Sequence, residues 1–130
     1  DVIITITSAF EALLQKDWVK PGTHIACMGT DTKGKQEVDA KLLAVASVFT
    51  DELAQSISLG EAQHAIKSGL IQQDDITSIG EVINGTKQGR ASNDEITLFD
   101  GTGVGLQDLA VASVAVDLAQ AKGKVSYITL

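Results

Sequence analysis

The sequence has few of the features that mark secreted, membrane or nucleic-acid-binding proteins. Its single cysteine, Cys27, excludes a disulfide within the chain, which is typical of a reducing compartment. The sequence has 10 Lys and Arg but 17 Asp and Glu, and the resulting net charge of −7 argues against a nucleic-acid backbone as partner. No apolar run approaches the roughly 20 residues of a membrane helix, and no secretory signal is present. These absences predict a cytoplasmic protein with no nucleic-acid and no membrane partner.

The composition is that of one globular domain. The 130 residues are 44% hydrophobic and 21% charged, which suffices for a sizeable core. The chain opens inside a β-branched run, residues 2–7, without an initiator Met. Because proteins rarely begin in a buried strand, we expect further chain upstream.

Apolar β-branched segments alternate with helical ones along the chain. Strands are predicted over 2–7, 23–28, 48–51 and 96–99, and residues 125–130 form either a last strand or a tail against a missing part. A helix is predicted after Ser8, which has capping-box spacing to Glu11. A second is predicted over 40–47, with Asp39 as its N-cap. Further helices are predicted over 58–67, 74–83 and 104–121. This alternation predicts an α/β fold, a mostly parallel sheet with helices on both faces.

Small, hydroxylated and glycine-bearing loops follow three of the four main strands. Ligands of open parallel sheets bind at the carboxyl ends of the strands. The loops there are Thr7–Ser8, Met28–Asp31 with Gly34 and Lys35, and Asp100–Gly103. Each has a local explanation as a helix cap or an ordinary turn. Their coincidence at one edge of the sheet favours a ligand site, where glycine lets the backbone approach closely.

Asp31 is the acid of greatest chemical interest. A carboxylate at a strand end can exchange protons with a substrate amine if its pKa is raised, but Lys35 would lower that pKa, so both states stay open. His24 and His64 lack metal-ligand spacing, and we expect no metal site. Cys27 lies in an apolar strand and is expected to be a buried, inert thiol. The glycines of GTGVG at 101–105 do not have dinucleotide-loop spacing.

Several motifs occur in an order that resembles one enzyme family. These are VKPGTHI at 19–25, MGTD at 28–31, GKQEVD at 34–39 and GRASNDEITLFD at 89–100, followed by Gly103 and QDLA at 107–110. Together they resemble the ornithine cyclodeaminase/mu-crystallin family, over about residue 1 to Gly123. Some relatives have serine at the position of Gly101. In this chain the hydroxyl comes one residue later, from Thr102. The family's G-x-G-x-x-G loop, its ribose-binding acid and its basic substrate-carboxylate residues have no match here.

The resemblance implies a partial Rossmann-like, three-layer domain. Residues 1–130 would be the C-terminal portion of an NAD(P)-binding Rossmann domain, with the upstream half and the dimerisation and substrate domain absent. The parent would be an NAD- or NADP-dependent enzyme acting at the α-carbon of a small amino or imino acid, of the ornithine cyclodeaminase, alanine dehydrogenase or ketimine reductase type. The isolated chain would be inactive, with the cofactor absent or weakly bound.

The resemblance also assigns residues. Asp31 matches the acid beside the nicotinamide and the reacting amine. The residues matching cofactor contacts are Thr7, Ser8, Met28, Gly29, Lys35, Gly101, Thr102 and Gly103. The alternative is a non-catalytic, mu-crystallin-like protein that binds a dinucleotide or another ligand. Family members are usually dimers, and an exposed edge at 2–7 would also favour a homo-oligomer.

Overall fold

The computed structural model describes residues 1–128, which form an α/β fold around a parallel sheet. The sheet has five strands in the order β1 (Val2–Thr5), β3 (His24–Cys27), β7 (Thr97–Asp100), β5 (Ser47–Thr50) and β6 (Ile76–Ser78). Strands β2 (Phe10–Leu14) and β4 (Gln36–Val38) form a separate parallel pair. Every neighbouring pair in the main sheet is parallel, so the carboxyl ends of all five strands lie at one edge. The predicted Rossmann-like fold class is confirmed.

Short helices connect most of the strands. They are α1 (Ala40–Leu43), α2 (Leu53–Ser58), α3 (Gln63–Lys67), α4 (Ile79–Ile83) and the long α5 (Gly105–Ala121), with 3-10 turns at Lys16–Trp18 and Gln73–Asp75. Asp39 caps α1 as predicted, because its carboxylate accepts a bond from Lys41 N at 3.0 Å. Within residues 1–128, no helix has both the length and the apolar character needed to cross a membrane.

One face of the sheet carries the core. Ile25, Leu98, Val48 and Ile76 stand in register across four neighbouring strands, and all are buried. Side chains from β4, α1 and α3 complete the cluster: Val38, Leu42, Leu43 and Ala65. Burying an Ile or Leu side chain fully contributes about 1.5–3 kcal/mol, so this row is a main source of stability. The next row on the same face, towards the carboxyl edge, is polar.

The β1 edge and helix α5 are open to solvent. Val2 and Ile4 are 68% and 67% exposed, and the apolar side chains of α5 are exposed along its length. The strand expected over residues 2–7 therefore has the exposed apolar edge that the sequence predicts, and in this chain it is not buried. The strand ends at Thr5 and lies at the sheet edge, where no element of the described chain covers its outer face.

The helix predicted after Ser8 is wrong. Residues 10–14 form β2, whose flanking backbone pairs with β4: Gln36 N donates to Ala9 O at 3.0 Å and Asp39 N to Leu14 O at 2.9 Å. Long-range backbone pairing outweighs the local capping-box signal here.

Three other helix predictions need correction. The helix over 40–47 ends at Leu43, because Ser47 N donates to Ile96 O and begins β5. Of the helix over 58–67, only α3 (Gln63–Lys67) forms; Ser58 is the last residue of α2, and residues 59–62 are a turn between the two helices. The helix over 74–83 contains strand β6, which pairs with β5 before α4 begins. Residues 125–128 have no regular structure, and the rest of the predicted last strand lies outside the described residues.

Candidate functional site

Three loops meet at the carboxyl ends of β1, β3 and β7. Met28 N donates to Thr5 O at 2.8 Å and Gly101 N to Cys27 O at 2.9 Å, which ties each loop to the neighbouring strand. We call residues 7–8, 28–35 and 101–103 the rim. The predicted cofactor residues therefore share one edge of the sheet.

The rim loops pack closely at two glycines, and the backbone contact at Gly29 requires glycine there. A Cβ on Gly29 would lie 2.3 Å from Thr7 O, and one on Gly101 would lie 2.6 Å from the Met28 sulfur. Gly103 has a φ of +78°, and a Cβ there would meet no atom within 4 Å. The first two glycines allow close packing within the rim, whereas Gly103 borders open space.

Asp31 and Lys35 form an ion pair on the rim. The Lys35 Nζ lies 2.7 Å from Asp31 Oδ1 and 3.4 Å from Gly29 O. The hydrogen bond from Lys35, and next that from Thr32, hold the pKa of Asp31 below its ordinary value. Asp31 is therefore ionised at neutral pH in this chain. An ionised carboxylate stabilises the cationic, protonated form of a neighbouring amine or imine.

Glu37 lies buried beneath the rim and binds it from below. Its Oε1 accepts a bond from Thr7 N at 2.5 Å, and its Oε2 accepts bonds from Thr5 Oγ1 at 2.7 Å and Gly29 N at 3.0 Å. The side chain is 0% exposed. One carboxylate thus joins the end of β1 to the loop after β3.

Glu61 lies behind Glu37. Its oxygens accept bonds from Glu37 N at 3.0 Å, Val38 N at 2.8 Å and Thr30 Oγ1 at 2.5 Å. Burial raises the pKa of Glu61 to about 7, against the lowering effect of these three donors. The carboxyl is therefore close to half protonated at neutral pH.

Two further acids support the third rim loop. Asp51 accepts bonds from Thr102 N at 2.9 Å and Thr102 Oγ1 at 2.7 Å. The Thr102 hydroxyl therefore donates its proton to Asp51, and the Thr102 Oγ1 atom can bind a ligand only as a hydrogen-bond acceptor. Asp100 is buried and accepts a bond from Ser56 Oγ at 2.6 Å, and burial raises its pKa to about 6. Gly60 must be glycine here, because a Cβ would lie 2.6 Å from Asp100 Oδ2.

The sequence patterns do not single out these buried acids. Glu37 occupies the middle of a three-residue strand, and Glu61 follows a glycine between two short helices. Their burial arises from contacts with segments far along the chain. The only local signal is at Glu61, a charged residue set between Gly60 and Ala62.

The remaining polar candidates have structural roles. His24 Nδ1 lies 2.8 Å from Thr97 Oγ1, and His64 Nε2 lies 3.0 Å from Lys35 O. Burial raises the pKa of the Cys27 thiol well above its ordinary value, consistent with an inert core residue. Across residues 1–128, no group of three or more His, Cys, Asp or Glu could hold a metal ion.

A cavity of about 490 Å³ lies away from the rim, around Ser47 and Thr77 of β5 and β6. The two carboxylates that line this cavity bind the local backbone: Asp75 accepts a hydrogen bond from Gln72 N at 2.7 Å, and Glu95 accepts one from Ala91 N. The residues that line this cavity are not residues of the rim.

Comparison with known proteins identifies the family of the chain. Residues 1–123 match the model of the ornithine cyclodeaminase/mu-crystallin family. The chain belongs to this family. It is 59% identical over 123 residues to the iminosuccinate reductase of Paracoccus denitrificans, covering 95% of this chain and 38% of that protein. It is 43% identical over 129 residues to an alanine dehydrogenase of Archaeoglobus fulgidus, covering 98% of this chain and 40% of that protein.

A solved family member shows the same fold with a dinucleotide. The crystal structure of the Paracoccus denitrificans iminosuccinate reductase in complex with NAD⁺ matches with a TM-score of 0.91 and 56% identity. The match covers 99% of this chain and 40% of that one. The chain therefore spans about two fifths of the length of these relatives.

The rim leaves small and charged groups open to solvent. Gly103 borders open space, and Asp31 and Lys35 stand exposed or partly exposed beside Gly29. No G-x-G-x-x-G phosphate loop occurs in the sequence.

Proposed function

We propose that the chain is the C-terminal portion of the Rossmann domain of an NAD(P)-dependent enzyme acting at the α-carbon of an amino or imino acid. The observation that carries this is the Asp31–Lys35 ion pair, 2.7 Å long, on a rim built by three parallel strand ends. The membership of the family and the NAD⁺ complex of a relative support it.

In this proposal the bound dinucleotide supplies or removes a hydride at the α-carbon. Asp31 provides the negative charge that holds a proton on the imine nitrogen, the form that accepts a hydride most readily. In the oxidative direction the same carboxylate stabilises the iminium cation that hydride removal from the substrate amine leaves. Lys35 holds Asp31 in place and keeps its pKa low. The cofactor contacts are Thr7, Ser8, Met28, Gly29, Lys35, Gly101, Thr102 and Gly103.

Among the family's reactions, we propose the reduction of an imino acid to an amino acid. The support is the identity of 59% to a protein named for reducing iminosuccinate. A dicarboxylic imine is therefore the first substrate to test, ahead of cyclic imino acids and ornithine.

The test is turnover by the full-length protein. NADH oxidation is followed with iminosuccinate, formed in solution from oxaloacetate and ammonium, and then with cyclic imino acids. Oxaloacetate without ammonium is the blank. Turnover that requires ammonium supports the proposal. Tight NADH binding without turnover of any substrate would favour the non-catalytic alternative instead.

The role of Asp31 is tested by Asp31→Asn in the same protein. Removing one group that stabilises the charge of a transition state costs about 100-fold or more, so we expect kcat to fall by at least about 100-fold while NADH binding changes little. The matched control is Asp17→Asn, since Asp17 is an exposed carboxylate paired with Lys16 away from the rim. A kcat within a few-fold of the wild type in Asp31→Asn would overturn the assignment.

A further inference from the structure

The backbone of residues 32–35 forms a turn that carries the ion pair of the rim. Lys35 N donates to Thr32 O at 3.1 Å and closes the turn, in which Gly34 has a φ of +92°. Asp31 directly precedes the turn, and Lys35 is its last residue. The position of this turn therefore sets where both charged side chains are attached.

The Asp31 carboxylate is bound by groups of the same turn. Its side chain is 61% exposed, and its Oδ1 accepts hydrogen bonds from Lys35 Nζ at 2.7 Å and from Thr32 Oγ1 at 3.0 Å. Both donors belong to the turn, so a movement of the turn moves the carboxylate with it. The geometry of the ion pair thus depends on what holds the backbone of residues 32–35.

Gln63, the first residue of α3, binds this backbone through its side-chain amide. Its Oε1 accepts a hydrogen bond from Gly34 N at 2.7 Å. Its Nε2 lies 3.0 Å from Gly60 O, 3.3 Å from Lys35 O and 3.4 Å from Thr32 O, so its two N–H protons are shared among three carbonyl oxygens. One side chain thus binds the turn at its first, third and fourth residues.

The neighbours of Gln63 bind the same segment of the chain. His64 Nε2 lies 3.0 Å from Lys35 O, and since a carbonyl oxygen only accepts, Nε2 is the nitrogen that donates. Glu61 accepts bonds from Thr30 Oγ1 at 2.5 Å and Val38 N at 2.8 Å, on either side of the turn. The residues at the start of α3 therefore support the loop that carries the ion pair along its whole length.

We propose that Gln63 is a positioning residue of the reaction: it fixes the turn at 32–35 and so holds Asp31 and Lys35 in the geometry that the reacting nitrogen requires. This inference rests on the proposed function. Gln63 acts through the ion pair and not on the substrate itself. A displacement of about 1 Å at a reacting group can lower a rate about 100-fold, so the loss of these hydrogen bonds is large enough to control turnover.

The experiment is a double-mutant cycle on the full-length protein, with the imino acid that it turns over. Gln63→Met keeps the length of the side chain and removes both its acceptor and its donor. We expect kcat to fall about tenfold or more in the wild-type background. In the Asp31→Asn background kcat should change less than about twofold, because the carboxylate through which Gln63 acts is gone. The kcat is expressed per NADH-binding site counted by calorimetry, so an unfolded fraction does not enter.

A purely structural role for Gln63 would lower the amount of folded protein or lower kcat equally in both backgrounds. Gln73→Met is the matched control, because Gln73 is exposed and lies outside the rim, and it should leave kcat unchanged. If Gln63→Met does not fold, His64→Phe removes the other side-chain bond to Lys35 O and carries the same prediction. An unchanged kcat, or an equal loss in both backgrounds, overturns the inference. Absence of turnover in the wild type would instead refute the proposed function, and the inference with it.

Discussion

Glu61 should make the stability of the chain fall as the pH rises towards neutrality. Its carboxyl is buried, and its pKa is raised from 4.5 to about 7. Between these values the folded chain keeps a proton that the unfolded chain releases. The free energy of unfolding therefore decreases as pH rises through this window, and it levels off above about pH 7.

The size of the effect follows from the shift. Each pKa unit corresponds to about 1.4 kcal/mol, so the difference between 4.5 and about 7 is worth about 3 kcal/mol. The pKa of Asp100 is raised to about 6, so this carboxyl also makes the unfolding free energy fall as the pH rises, over a lower pH range. The pKa of His24 is lowered, so this residue makes the unfolding free energy rise with pH. The two buried acids repel each other, so their contributions are not summed.

The assay is urea unfolding of the chain across about pH 5 to about pH 8, for the wild type and for Glu61→Gln. The glutamine mimics the protonated acid, because its oxygen can accept from Glu37 N and Val38 N and its amide can donate to Thr30. Subtracting the variant removes the contribution of His24, and what it leaves of Asp100 is the part that comes from repulsion between the two acids. We expect the difference in unfolding free energy to fall by about 3 kcal/mol over this range. A difference that is flat to within about 0.5 kcal/mol would refute the burial argument.

Three further outcomes are expected. Gly29→Ala should destabilise the chain by about 1–3 kcal/mol or more in urea unfolding, because its Cβ would lie 2.3 Å from Thr7 O; unchanged stability would contradict the close packing of the rim. Cys27 should react with a thiol reagent at least about a hundredfold faster in urea than in the folded chain, since burial raises its pKa; equal rates would contradict its burial. The isolated chain should self-associate in light scattering through its open β1 edge, and Ile4→Lys should reduce this, because Ile4 is 67% exposed; a monomeric wild type would count against it.

The parallel sheet could be predicted because each of its central strands carries adjacent apolar residues within a short β-branched or aromatic segment. Ile25, Val48 and Leu98 lie in segments that read as strands without any knowledge of their partners, and the register brings them into one buried row. The carboxyl-edge location of the rim follows from the same parallel order. The position of the candidate site was therefore within reach of sequence reasoning.

The short strands and the burial of the acidic residues could not be predicted from the sequence. Strand β2 pairs with β4, and β6 pairs with β5, so neither exists without a partner far along the chain. Glu37 and Glu61 become buried only when β4 and α3 pack against the sheet edge. Local propensity favours helix in both missed strand segments, and tertiary pairing overrides it.

The most direct test of hydride transfer at the α-carbon uses NADH carrying deuterium at both C4 positions. The full-length protein is incubated with this NADH and the imino acid that it turns over, and the amino acid product is analysed by mass spectrometry and NMR. We expect one deuterium per product molecule, located on the α-carbon. A product formed at the same rate without deuterium at that carbon would contradict the account.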